Sequence, residues 1–329
     1  MTAIKSQIAA WIIAATLLIL VLHLNLLPAL LAGLLVFELV HILARRLSGG
    51  KARLAAVVII AVLVVAVISL VAVALVAYFR SDAGSLPALF QKMAEIIDNT
   101  RSSLPDWIAM ALPADADAIH NATVHWLRDH AGEVQGLGKE AGTAAARGLI
   151  GMVIGAMLAL QEFAGRMPLK PLAQALQERA MRLAEAFRRI VFAQVRIAAL
   201  NAVFTAIYLA LLLPLFGVHL PFVKSMILFT FIAGLLPVVG NLLSNTVIVV
   251  VSLAHSPGAA VASLVFLVLI HKLEYFLNAR IVGGQINAKA WELLLAMLVM
   301  EAAFGLPGVV AAPVYYAYLK DELKARGLV

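Results

Sequence analysis

Long apolar runs recur along the chain with short polar stretches between them. Ile8–Leu24 and Leu27–Leu43 come first, joined by a tight turn at 25–28. The segment "ARRLSGGKAR" follows, with Arg45, Arg46, Lys51 and Arg53 and no acid, and leads into the valine- and isoleucine-rich run Leu54–Phe79. Further runs cover Gly148–Phe163, Ile197–Phe216 and Ala259–Lys272. Crossing a hydrocarbon layer of about 30 Å takes about 20 apolar residues as helix, and a helix satisfies its own backbone groups where water is absent. The pattern predicts an all-α polytopic membrane protein with six full transmembrane helices.

Two other apolar regions are interrupted at their centres. Phe222–Leu253 carries Pro237, Gly240, Asn241, Ser244 and Asn245 in its middle. Trp291–Leu319 is broken by "EAAFGLPGVVAAP", with Glu301 ending the first arm and Gly305, Pro307 and Gly308 forming the break. Proline removes a backbone donor and glycine permits a turn. Each arm is short for a span, and the middle of the first region holds no charge. Two re-entrant helical hairpins account for this, because non-helical backbone at membrane depth is tolerated where protein buries it or water reaches it. Two ordinary short spans with a tight turn at the far surface are the other reading. Paired apolar segments interrupted by Gly and Pro point to a transporter's binding site.

The polar stretches complete the layout. Residues 80–145 carry acids at Asp82, Glu95, Asp98, Asp106, Asp115, Asp117, Asp129, Glu133 and Glu140, which outnumber the bases. They predict a small helical extramembrane domain. The basic segment before Leu54 belongs on the cytoplasmic side, so this domain is expected on the outer side and both termini inside. In "RMPLKPLAQALQERAMRLAEAFRRIVFAQVR", Leu172, Leu176, Ala180, Leu183 and Phe187 recur at helical spacing beside Arg179, Arg182, Arg188 and Arg189. This is an amphipathic helix, lying along the interface near anionic headgroups or packed on the membrane domain. The expected division is 1–79 for the early spans, 80–145 for the outer domain, 146–196 for a span plus interfacial helix, and 197–329 for the transport region.

Composition narrows the classes. Apolar residues make up 64% of the 329 and charged residues 13%, against roughly 25% charged in soluble domains. The formal charge of +7 sits in loops between apolar runs, and points to membrane topology and not to nucleic acid. There is no cysteine, so no disulfide or thiolate chemistry is available. Lys5 before Ile8–Leu24 resembles the start of a secretion signal, but the second apolar run follows at once without a clear cleavage site, which reads as an uncleaved first span.

An ionisable group inside a span is a functional candidate by default. Glu301, between Met300 and Ala302, is the leading one: it would bind a cation, take a proton or meet a solute hydroxyl, or else pair structurally with a neighbour. Glu38 and His41 share a helix face near Arg45 and read as an interfacial structural cluster. Glu162 and Glu274 lie near span ends, and His23 and His271 read as ordinary satisfied histidines. Among neutral groups, Asn241, Ser244 and Asn245 beside the break are candidate solute contacts. Asn201, one turn before Thr205, is either another or a helix–helix hydrogen bonder. His120, His125 and His130 are five apart, which rotates each by roughly 140° on a helix, so they do not converge on a metal. No catalytic constellation, phosphate-binding loop or cofactor motif is present.

"LLPVVGNLL", then "LEYFLNARIVG", then "LLAMLVMEAAFGLPGVVAAPVYYAYL" resemble the autoinducer-2 exporter family of bacterial membrane proteins. The likeness covers most of the chain and is strongest over 231–319. Asn241 stands where that family usually has proline, Ala279 where a proline commonly occurs, and Glu301 in a stretch that is usually glycine-rich. The resemblance implies an inner-membrane protein with its outer domain in the periplasm, a homo-oligomer of five copies, and an elevator-like motion. It implies secondary export of a small polar solute or signal, or sodium–proton exchange as in some relatives. The residues add a third reading from another class, a scaffold whose outer domain binds periplasmic partners.

Overall fold

Helix is the only regular structure among the residues that the computed structural model describes, which are 3–44, 51–80, 131–164, 169–235, 239–253, 255–281 and 289–328. In chain order the helices are α1 (Ala3–His23), α2 (Leu27–Ala44), α3 (Lys51–Arg80), α4 (Ala131–Ala164), α5 (Pro171–Ile207), α6 (Val223–Gly234), α7 (Val239–Leu253), α8 (Pro257–Ile281), α9 (Ala290–Phe304) and α10 (Leu306–Lys324). Five described stretches are long and apolar enough to cross a membrane: Lys5–His23, Leu27–Ala44, Val57–Ala74, Gly142–Gln161 and Pro171–Leu215. The chain is an all-α polytopic membrane protein, as its apolar pattern predicts. The sixth expected span corresponds to Pro257–Ile270 at the start of α8, a shorter apolar helix. Most of the expected outer domain, including His120, His125 and His130, lies outside the described residues.

At one expected junction the helix is continuous. The sequence reading separates an interfacial helix ending at 196 from a span beginning at 197. The structure runs α5 straight through this junction and extends it with a π-helical turn at Tyr208–Leu212 and an α-helical turn at Leu213–Leu215. No glycine or proline interrupts Gln194–Ile207, so nothing stops the helix where its character changes from amphipathic to apolar.

Short local motifs set where helices end. Asn25 adopts φ 54°, and around it Leu26 N–H donates to Val21 O (2.8 Å) and Asn25 N–H to Leu22 O (3.1 Å). This pair of bonds is a Schellman motif, which caps the last carbonyls of α1; asparagine is among the few side chains that tolerate that conformation. Gly217, at φ 78°, ends the α5 extension in the same way, with Val218 N–H to Leu213 O and Gly217 N–H to Pro214 O.

The chain divides into two compact units. The first comprises Met1–Ala72, Leu137–Val191 and Ile286–Val329, and the second Val73–Gly136 and Phe192–Gln285. In the first unit α2 and α4 meet backbone to backbone. A Cβ on Gly151 would lie 2.0 Å from the Ala29 carbonyl oxygen, and one on Gly155 would lie 2.1 Å from that of Gly33. Small residues four apart on facing helices allow this approach, which replaces the missing hydrophobic drive between helices in lipid with close van der Waals contact. A core of Val36, Val40, Val57, Ala61, Met152, Ala159 and Ala184 extends from that seam. Trp11, Arg179, Arg182, Asp321 and Glu322 bind α1, α5 and α10 together. Trp11 Nε1 donates to Glu322 (3.0 Å), Arg182 pairs with Glu322 (3.4 Å), and Arg189 pairs with Asp321. The amphipathic helix is thus packed on its own unit through its arginines.

In the second unit, α6 and α7 form a hairpin whose partner is α8. Its core holds Tyr208, Leu209, Met226, Ile248, Val251 and Leu267. Three buried hydroxyls run through that core: Tyr208 Oη lies 2.9 Å from Ser263 Oγ, which lies 2.6 Å from Ser252 Oγ. Tyr208 also stacks on Phe266 at 3.9 Å between ring centroids.

Candidate functional site

The first broken region folds as a helical hairpin of two short arms, α6 with 12 residues and α7 with 15. These are roughly 18 and 23 Å of helix. Pro237 lies outside the described residues. Gly240 is needed on steric grounds: a Cβ there would fall 1.7 Å from the Ala233 carbonyl oxygen. Gln194 on α5 donates from Nε2 to the Gly234 carbonyl oxygen at 2.7 Å, supplying a donor to a carbonyl at the end of α6 that its own helix cannot satisfy.

Immediately after Gly240, Asn241, Ser244 and Asn245 stand three and four residues apart and so share one face of α7. They line a small pocket with Asn201 and Thr205 of α5, Thr230 of α6, and Leu267 and Ile270 of α8. Its volume is about 20 Å³, close to what one water molecule needs. All eight lining residues belong to the second unit. Four of the polar ones are nearly closed off, with Asn201 6%, Thr205 3%, Thr230 4% and Ser244 2% exposed.

Two of the pocket's hydroxyls are already engaged. Thr230 Oγ1 donates to Met226 O (2.8 Å) and Ser244 Oγ to Asn241 O (3.2 Å), so both hydroxyl protons are spent on the helix backbone and only lone pairs remain. Asn201, Thr205 and Asn245 make no side-chain hydrogen bond in the structure. A polar molecule or ion in the pocket would supply the hydrogen-bond partners that these side chains lack. None of the lining residues is charged. The pocket is therefore a neutral site that offers both amide and hydroxyl donors and oxygen acceptors. It suits a hydroxyl, which donates and accepts, and its oxygens can also face a cation stripped of water.

The structure brings together Asn201, Asn241, Ser244 and Asn245 from the sequence candidates. It adds Thr205 and Thr230, which the candidate set lacked. Thr230 is the lone polar side chain in "MILFTFIAG", and that isolation was the available signal. Thr246, next to Asn245, is exposed and bonds its own helix at Leu242 O (2.9 Å).

Glu301, Gly305, Pro307 and Gly308 belong to the first unit, in the hairpin α9–α10. Gly305 at φ 62° and ψ −146° is the turn itself. Its N–H closes α9 on Glu301 O (2.7 Å) and its carbonyl opens α10 from Val309 N–H (3.2 Å). Pro307 falls in the first turn of α10, where its missing N–H costs nothing. A Cβ on Gly308 would lie 1.9 Å from Met300 O, so the arms touch. Glu301 is exposed, and its carboxylate has no partner among the described residues.

The open end of this hairpin is latched by Glu292. Its carboxylate accepts from Lys320 Nζ (2.5 Å), Tyr316 Oη (2.6 Å) and Lys289 N–H (3.2 Å). The Lys320 and Tyr316 bonds hold it well below the ordinary carboxylate range, at about 2. The Glu38 and His41 cluster is structural in form: Glu38 is buried 3.8 Å from Arg188 Nε, and His41 Nδ1 lies 3.1 Å from Phe37 O. The described residues hold no group of three or more His, Asp or Glu arranged for a metal.

Comparison with curated proteins and with solved structures gives no match. A family model, by contrast, covers nearly everything described above: the model of the AI-2E family transporters matches residues 7–326. With both broken hairpins and the neutral pocket inside the matched region, this chain belongs to the AI-2E transporter family.

Proposed function

We propose that this membrane transporter moves a small, neutral, hydroxyl-bearing solute through the pocket at the α6–α7 break, acting as a secondary exporter of a small polar signal of the autoinducer-2 kind. The observation that carries this reading is the set of three unpartnered polar side chains, Asn201, Thr205 and Asn245, facing one uncharged pocket. The pocket is complete within one unit, which supports an elevator-like cycle in which that unit carries the solute as one body. The short arms of α6–α7 and α9–α10 support re-entrant hairpins. An inner-membrane location, cytoplasmic termini and a homo-oligomer complete the proposal.

A second reading has one observation in its favour. A space of about 20 Å³ ringed by amide and hydroxyl oxygens also fits a dehydrated monovalent cation. In that reading Glu301, with its unpartnered carboxylate, handles the proton of a sodium–proton exchange. Reconstituted protein in liposomes separates the two. Efflux of a polyol-type solute without proton movement supports export. Proton movement reported by internal pyranine on adding sodium, abolished in Glu301→Gln, supports exchange and defeats the first reading.

A further inference from the structure

The first unit holds a second and much larger cavity that shares no lining residue with the neutral pocket. It is a groove of about 1070 Å³ between α2, α4 and α5, at or above the upper end of the ~300–1,000 Å³ typical of small-molecule sites. Its walls are almost entirely aliphatic. From Leu26, just before α2, it runs to Phe37, and along α4 from Gly151 to Gln161, or roughly 15–17 Å of helix. That length equals one leaflet of a hydrocarbon layer of about 30 Å.

The groove is polar at one end only. Gln161 lies three residues before α4 ends, and Gln177 lies in the second turn of α5. Between the lining residues Leu169 and Ala173 stands Lys170, which is exposed and makes no ion pair. Three arginines of α5 differ: Arg182, Arg188 and Arg189 each pair with a carboxylate. A leaflet-long apolar channel with two amides in its lining and one unpaired cation next to the lining residue Leu169 matches the outline of a phospholipid, acyl chains inward and phosphate outward.

We infer that the α2–α4–α5 groove is a phospholipid site, with Lys170 selecting an anionic headgroup. The bound lipid fills space that the backbone contact of α2 with α4 leaves beside α5, so it is a structural component of this unit and not cargo.

Native mass spectrometry of the full-length protein, released in mild detergent from membranes containing phosphatidylglycerol and phosphatidylethanolamine, tests this. The expected result is one retained phospholipid per chain, enriched in phosphatidylglycerol. Lys170→Gln should cut that enrichment by about fivefold, the effect of one lysine near an anionic surface, with the lipid count unchanged. Ala180→Trp, which fills the groove, should release the lipid. A wild-type protein without retained lipid, or equal headgroup selectivity in Lys170→Gln, overturns the proposal. So does a change of oligomeric mass in Ala180→Trp with lipid retained, which assigns the groove to a second copy of the chain. Lys170→Gln alters only an exposed side chain, so its result stands even if Ala180→Trp fails to fold.

Discussion

Gln194 Nε2 donates 2.7 Å to the carbonyl oxygen of Gly234, tying the end of α6 to α5 at the edge of the neutral pocket. Seven residues further along α5, about two turns, comes Asn201, so one helix supplies both the brace and a pocket wall. Gln194→Ala leaves that helix-end carbonyl without its partner, at a cost of about 1–3 kcal/mol. The expected outcome is a lower melting temperature and a several-fold loss of solute flux, with Gln194→Glu failing to restore either because its ionised carboxylate cannot donate. Wild-type flux in Gln194→Ala would separate the brace from transport.

The pocket asparagines should behave in the opposite way. Asn201 and Asn245 have no protein partner, so Asn201→Leu and Asn245→Ala remove no internal hydrogen bond. Melting temperature is expected to hold or rise while flux falls at least tenfold. Ser263→Ala provides the contrast, since it breaks the buried chain to Tyr208 and Ser252 and should lower stability first. Intact flux in both asparagine variants would remove the pocket from the mechanism.

Close packing of α2 on α4 predicts steric intolerance. In Gly151→Val the new Cβ alone would stand 2.0 Å from Ala29 O. Relief requires the helices to separate, and overpacking of this kind costs typically 1–3 kcal/mol or more. Thermal unfolding in detergent should show a drop of that order, with Gly148→Ala, where the nearest heavy atoms are 4.0 Å away, near neutral.

The Glu292 latch carries a pH dependence whose sign follows from its depressed pKa of about 2. The carboxylate's contribution is complete above the ordinary carboxylate range and disappears as pH falls towards 2. The melting-temperature gap between wild type and Glu292→Gln is therefore constant from pH 8 to about 5 and narrows below that. A gap that widens on acidification would contradict the latch.

Much of this was legible in the chain. Spans follow from the count of consecutive apolar residues, because hydrocarbon admits little else. The breaks follow from glycine and proline, whose backbone restrictions are local: Gly305 is at the turn of α9–α10 and Gly240 is where only hydrogen fits. The helix α5 runs through the expected junction at 196 because a change of face chemistry does not end a helix, while the division between the compact units, at Val191 and Phe192, lies close to it. Thr230 and Gln194 stayed out of view because each matters only through a residue on another helix. The pairing of Ala29 and Gly33 with Gly151 and Gly155 was written in the four-residue spacing on both helices, but the spacing alone does not name the partner.

The sequence by itself determined that this chain lives in a bilayer as helices and where two of its apolar segments must bend. Those outcomes depend on hydration and on dihedral limits within a few residues. Only the tertiary structure decided that Asn201, Thr230 and Asn245 share one pocket while Glu301 belongs to the other unit. Which neutral groups converge depends on helix rotation and contact between distant segments, and no local rule contains that.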